Sequence, residues 1–182
     1  AYAGAMAAGL VSMVAAGTIG KKKYIEAEAE MNATQTEAAQ LKDQLASAVQ
    51  ADADAFEQVM AAFKLPKDTE GQLATRIKAV DKATLHAAEL PLNVAKQALH
   101  IMELGINMMM RGNVNAISDA ASAVSLGFAA MTASGLNVKI NVNALTDKTP
   151  GQPLLLELAE IEKKAQLLND AVTSIIKDRA GF

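Results

Sequence analysis

Cysteine and tryptophan are absent from this chain, histidine occurs twice, proline four times, and aromatic residues make up only 3% of it. Without cysteine there is no disulfide framework, no thiolate nucleophile and no zinc-finger spacing, which suits a reducing compartment and a cytoplasmic location. His86 and His100 lack the i, i+4 spacing and the neighbouring ligands of a metal site. They read as ordinary helix residues, and no metal is expected. Positive charge is also scarce: 17 Lys and Arg stand against 20 Asp and Glu, for a net charge of -3. Beyond one lysine triplet no basic stripe stands out, which argues against a nucleic-acid partner. There is no Walker A loop, dinucleotide fingerprint or GxSxG elbow.

What is abundant is aliphatic. The chain is 51% hydrophobic, supplied by Ala, Leu, Val, Ile and nine Met. Such side chains let helices approach closely and favour them over sheets. At 182 residues the chain fits a single domain, 1–182, with an all-α bundle of five or six helices expected. The first twenty residues, AYAGAMAAGLVSMVAAGTIG, are uncharged and precede KKK, a pattern shared with membrane anchors. Their apolar mass is Ala and Gly, however, and no basic region precedes them. A buried bundle helix, with no membrane, is the preferred reading. Ala1 is not an initiator Met, so the true start of the chain is expected to be missing.

Punctuation falls at TIGKKK, KLPKDT, ELPL, MRGNVN, ASGLNV and KTPGQP, with long helical segments between. From Tyr24 to Phe63 apolar residues repeat at seven. Met31, Ala38, Leu45, Asp52 and Val59 form one row and Leu41, Ala48, Ala55 and Ala62 its companion, with only Asp52 out of character. Asp68 or Thr69 is the expected N-cap of the next helix, within which Pro91 marks a kink or a break. NVKINVN (137–143) alternates apolar and polar residues and fits either an extended piece or a helix. Pro153 suits the first turn of a last helix rich in Leu and Ile.

Two aspartates stand out. Asp52 interrupts the apolar row and is either a register-fixing interface residue or the wall of a pocket, whereas Asp54 and Glu57 face solvent. Asp119 lies in MMMRGNVNAISDAASAVSLGFAAM (108–131), where Asn115, Ser118, Asp119 and Ser122 follow helical spacing and form a polar stripe. Asn113 and Asn115 are equally suited to cap the helix after Gly112. Lys21, Lys22 and Lys23 can be a solvated helix end or contribute one or two cations to a site.

The ordered motifs GTIGKKKY (17–24), DADAFEQVMAAFKLPK (52–67), ELPL (89–92), GNVNAISDA (112–120) and NVKIN (137–141) resemble the formiminotetrahydrofolate cyclodeaminase / methenyltetrahydrofolate cyclohydrolase family over nearly the whole chain. The resemblance implies a helical homodimer acting on a one-carbon unit carried by a tetrahydrofolate derivative, with no cofactor beyond that substrate. It implies hydrolysis of 5,10-methenyltetrahydrofolate to 10-formyltetrahydrofolate or, alternatively, ammonia release from formiminotetrahydrofolate. A non-enzymatic helical assembly is the remaining reading. With the polar stripe, the resemblance implies that Asp119 stabilises the cationic bridge or orients the attacking group, that Asp52 shares that field from a facing helix, and that one lysine of the triplet, Lys21, shuttles a proton or binds the folate carboxylates. Lys22, Lys23, Tyr24, Asn113, Asn115 and Ser118 bind the substrate. The family also carries a Pro-Gly-Gly-Gly-Ser segment before the first helix, which this sequence lacks. The Ala-rich first helix and the Met108 to Met110 junction are natural surfaces between subunits.

Overall fold

The seven-residue rows and small side chains are realised as five long helices in the computed structural model, which describes residues 1–181. These are α1 (Tyr2–Ala16), α2 (Glu28–Phe63), α3 (Glu70–Arg111), α4 (Ile117–Ala144) and α5 (Gln152–Ala180), with short 3-10 turns at Lys22–Ala27, Val114–Ala116 and Thr149–Gly151. No strand occurs among the described residues, and NVKINVN lies wholly within α4. Thr69 caps α3 in a reciprocal capping box with Gln72, and Pro153 sits in the first turn of α5.

The central seam is the packing of α3 on α4. A Cβ on Gly105 would meet Val124 Cγ2 at 2.8 Å, and one on Gly127 would meet Met102 Cγ at 2.7 Å. Each helix therefore presents a glycine to the other's side chain, and the two backbones come close. Around this seam Val11, Val14, Met31, Leu45, Ile101, Met108, Met109, Val138 and Leu158 are almost fully buried in one apolar cluster. Met108 and Met109 are thus core residues of the chain rather than subunit contacts, and only Met110 of that triplet is exposed.

The apolar row of α2 holds as far as α1 covers it. Met31, Ala38 and Leu45 are buried, but Asp52 is exposed. The cause is length: α1 has 15 residues and α2 has 36, so the far third of α2 pairs with α3 alone and projects as an arm. Among the described residues one helical stretch, Val114–Ala144, is by length and composition apolar enough to cross a membrane, with a mean hydropathy of 1.3. In the fold it is the helix against which α1, α3 and α5 all pack.

Two expected outcomes follow from this packing. Gly105→Ala forces a methyl against the stiff, branched Val124 side chain and should destabilise by about 1–3 kcal/mol. A fall of several degrees in thermal unfolding followed by circular dichroism would show it. His100 contacts Glu37 at 2.8 Å and Glu103 at 3.2 Å. Partial burial pulls its pKa down, but the two carboxylates outweigh this and hold it above the usual 6.5. A raised folded-state value means that the charged imidazolium stabilises fully below the unfolded pKa and that this stabilisation is lost as pH rises through the folded one. The stability gap between wild type and His100→Gln, measured by urea unfolding, should therefore shrink between about pH 6 and pH 8.

Candidate active site

The residues singled out by sequence fall at two ends of the bundle. At one end the chain leaves α1 through a turn in which Gly20 adopts φ 75°, a left-handed conformation that favours glycine, and delivers Lys21, Lys22 and Lys23 to the surface. Lys23 Nζ lies 5.6 Å from the centre of the Tyr24 ring. The Tyr24 hydroxyl accepts a hydrogen bond from Val114 N at 3.0 Å, and buried Thr18 accepts one from Asn113 N at 2.9 Å. Asn113 is buried; its amide donates to Gly17 O and its Oδ1 accepts from Asn115 N. The polar knot within the Met-rich stretch is thus largely a tie between the α1 turn and the α3–α4 turn. Arg111 in that knot pairs with Glu30 at 2.6 Å.

Asn113, expected at the substrate, also serves the fold here: its amide donates one hydrogen bond and accepts one, both with main chain. Asn115 lies in the 3-10 turn ahead of α4 and not on its face. Ser118 is exposed, and Asp119 is half-buried with no hydrogen bond or ion pair among the described residues.

Asp52 is at the other end. It is shared by two adjoining pockets of about 220 Å³ each, which together form a groove between α2, α3 and α4. The walls include Phe56 and Phe63 from α2, Pro91 from α3, and Asn137 and Asn141 from α4. Asp119 and Asn137 lie eighteen residues apart on α4, about 27 Å along the axis, so Asp52 does not face Asp119 within one chain. The expectation of a shared field fails inside the protomer because the two motifs pack at opposite ends of the same helix.

Asn141, within NVKIN, carries no local sequence signal of a site role, and its partner explains its position. Pro91 has no N-H to donate to the carbonyl four residues before it, which is that of Ala87. Asn141 Nδ2 supplies the missing donor, reaching Ala87 O at 2.7 Å across the α3–α4 seam. Asn137 Nδ2 similarly donates to Ala133 O at 3.0 Å within its own helix. Among the described residues neither amide oxygen accepts a hydrogen bond, and both side chains line the groove with Asp52. A Pro inside a long helix followed by Asn on a neighbouring one is the signal that could have located the groove. A larger hollow of about 600 Å³ on the α2–α3 surface, lined by Lys82, His86 and Glu89, contains none of the predicted site residues.

The sequence profile described as formiminotransferase-cyclodeaminase matches residues 1–160. The chain belongs to the formiminotransferase-cyclodeaminase family. Within that family it is 35% identical over 179 residues to the methenyltetrahydrofolate cyclohydrolase of Methylorubrum extorquens, spanning 98% of this chain and 86% of that one. It is 28% identical over 171 residues to the formimidoyltransferase-cyclodeaminase of Gallus gallus, spanning 92% of this chain but 32% of that longer protein. The crystal structure of the formiminotetrahydrofolate cyclodeaminase from Thermotoga maritima superposes with a TM-score of 0.85 at 29% identity, over 97% of this chain and 84% of that one. All five helices of this family member therefore have a solved counterpart of similar arrangement.

If Asn141 serves as the substitute donor at the proline break, Asn141→Ala should leave Ala87 O unsatisfied and destabilise by about 1–3 kcal/mol. In a Pro91→Ala background the backbone supplies the bond and the loss should be smaller. A double-mutant cycle in urea showing simple additivity would contradict this coupling.

Proposed function

We propose that this protein hydrolyses 5,10-methenyltetrahydrofolate to 10-formyltetrahydrofolate in the Asp52 groove. The carrying observation is the acceptor set there: the Asp52 carboxylate and the Asn137 and Asn141 side chains, whose amide nitrogens are already engaged, line one groove together with two phenylalanine rings. The substrate's one-carbon bridge is a delocalised amidinium cation, which such oxygens and aromatic faces would favour. The 35% identity to a methenyltetrahydrofolate cyclohydrolase across almost the whole of both chains supports the same reading.

In this mechanism water adds to the bridge carbon and loses one proton to Asp52, giving a neutral tetrahedral carbinol. The carbon–N5 bond then breaks as N5 gains a proton and the hydroxyl loses one to become the formyl oxygen. The sum is one water consumed, one proton released and the positive charge of the substrate discharged. Asp52 acts as general base, and Asn137 and Asn141 orient the water or the bridge. Asp119 and Lys21 remain site residues in this reading, with Asp119 contributing negative charge and Lys21 a proton. Lys22, Lys23, Tyr24, Asn115 and Ser118 form the surface that meets the rest of the folate. No metal, and no cofactor other than the folate that carries the carbon, is needed for this chemistry.

The active form in this reading is a cytoplasmic homodimer without a nucleic-acid or membrane partner. A second activity, cyclisation of formiminotetrahydrofolate with loss of ammonia, is favoured by the structural similarity to the Thermotoga maritima cyclodeaminase. It passes through a comparable tetrahedral carbon and uses the same groups.

Asp52→Asn and Asp119→Asn should each lower turnover by about 10²-fold or more, the usual contribution of a positioned acid or base. Asp52 is exposed and Asp119 unpaired, so melting temperatures should barely change. The assay is loss of the methenyl near-ultraviolet absorbance above the spontaneous rate. Wild-type turnover in both variants would overturn the assignment, and absorbance gained from formiminotetrahydrofolate, with none lost from the methenyl form, would select the cyclodeaminase.

A further inference from the structure

Two buried hydroxyls in the Asp52 groove are unused by the chain. Thr84 of α3 and Ser134 of α4 are 5% and 6% exposed and line different pockets of that groove. Within α4, Ser122, Ser125 and Thr132 each donate to the carbonyl four residues earlier, and Thr75 does the same in α3. Thr84 and Ser134 make no such bond, nor any other among the described residues. No side-chain oxygen sealed from solvent lacks a partner among those residues, so each free Oγ opens into the space its residue lines. A buried hydroxyl without a partner costs free energy, and a bond from outside the chain would recover it.

The two pockets differ in chemistry, although Asp52 and Asn137 belong to both. The Ser134 pocket adds Tyr2, Val49, Leu90, Pro91 and Val94, and the Ala1 ammonium also stands there, within the field of the Asp52 carboxylate. The Thr84 pocket adds Phe56, Val59, Phe63 and Asn141, and among the described residues no cation lines it. The amide nitrogens of Asn137 and Asn141 are engaged, so Thr84 brings this pocket a free hydroxyl donor and Asn141 a free amide oxygen.

Donor and acceptor are neighbours. Asn141 is anchored on the Ala87 carbonyl at 2.7 Å, and Ala87 follows Thr84 by one turn of the same helix, a rise of about 5 Å. A donor beside an acceptor matches the edge of a lactam, whose N–H and C=O lie next to each other on one ring. The pyrimidinone ring of a folate carries such an edge. The amide at the benzoyl end does not, because a trans amide turns its N–H and C=O to opposite sides. Phe56 and Phe63, both on α2, offer aromatic faces to a flat ring in the same pocket.

We propose that Thr84 reads the substrate's ring: its hydroxyl donates to the pyrimidinone carbonyl while the Asn141 oxygen accepts the adjacent ring N–H, with the ring against Phe56 and Phe63. The one-carbon bridge then lies at Asp52 and Asn137, which both pockets share. The benzoyl arm runs into the Ser134 pocket, where that hydroxyl donates to its amide carbonyl. The groove thereby selects the oxo form of the ring, since an amino group in place of the carbonyl would set donor against donor. This deepens the function proposed above and rests on it for the folate, whereas the match to a lactam edge rests on the geometry of the pocket.

Thr84→Val removes the hydroxyl at nearly constant volume, and Thr84→Ser keeps it. In calorimetric titrations tetrahydrofolate should bind Thr84→Val about tenfold more weakly than wild type, the loss expected for one hydrogen bond, and Thr84→Ser nearly as well as wild type. The tetrahydrofolate analogue with an amino group in place of the ring oxo group should bind wild type about tenfold or more weakly than tetrahydrofolate, and Thr84→Val should erase most of that preference. The melting temperature of Thr84→Val should hold or rise, because no bond within the chain is lost. Ser134→Ala should weaken both ligands alike, and a change of preference there instead of in Thr84→Val would overturn the assignment. Tetrahydrofolate binding that is absent from wild type, equal in wild type and Thr84→Val, or as weak in Thr84→Ser as in Thr84→Val overturns it too. Thr84-dependent binding by a protein that leaves the methenyl absorbance untouched would keep the ring assignment and overturn the hydrolase reading.

Discussion

The close contact of α3 with α4 is the constraint on which the rest depends. Val124 over Gly105 and Met102 over Gly127 bring the two backbones near enough for Asn141 to reach the Ala87 carbonyl beside Pro91. With a wider seam that carbonyl would be orphaned, and the long helix α3 would need another way to tolerate its proline. The groove is therefore a by-product of packing as much as of chemistry. Its amide oxygens point where they do because their amide nitrogens are occupied.

Much of the fold was legible before any coordinates. The seven-residue rows of α2, the cap at Thr69 and the start of α5 at Pro153 each follow from local rules that tertiary structure did not override. Where reading by period stopped short, the reason was physical. NVKINVN alternates as a strand would, yet its apolar Val138 and Val142 are i, i+4 neighbours that bury together on one face of α4. Pro91 was legible as a defect but not as a repaired one, because the repair comes from a helix fifty residues later.

The site was legible in membership more than in arrangement. Asp52 breaks an apolar row and does face a groove, but the row leaves the core there because α1 is short, a matter of helix length that no local pattern records. Asp119 and Asn113 share a motif but differ in surroundings: the asparagine side chain bonds main chain on both sides, whereas the aspartate carboxylate has no partner among the described residues. Adjacent polar residues look alike in a sequence until the neighbouring chain segments, here Thr18 and Tyr24, claim some of them. The separation of Asp52 from Asp119 was invisible for a similar reason, since the order of motifs says nothing about which end of a bundle each will occupy.

The arm formed by the far parts of α2 and α3 gives the groove two unlike walls. On the α4 side the groove rests on the buried α3–α4 seam, where dense apolar burial makes local opening costly. On the arm side Phe56 is 64% and Phe63 48% exposed, and the helices there have only each other to lean on. Local opening free energy is set by how much is buried nearby, so fraying of the arm is the softest motion that touches the groove. A ligand held between the walls reads a fixed pattern of oxygens on one side and must quiet a mobile surface on the other. Part of its binding free energy then appears as lost motion in the arm, an entropic imprint rather than a displacement.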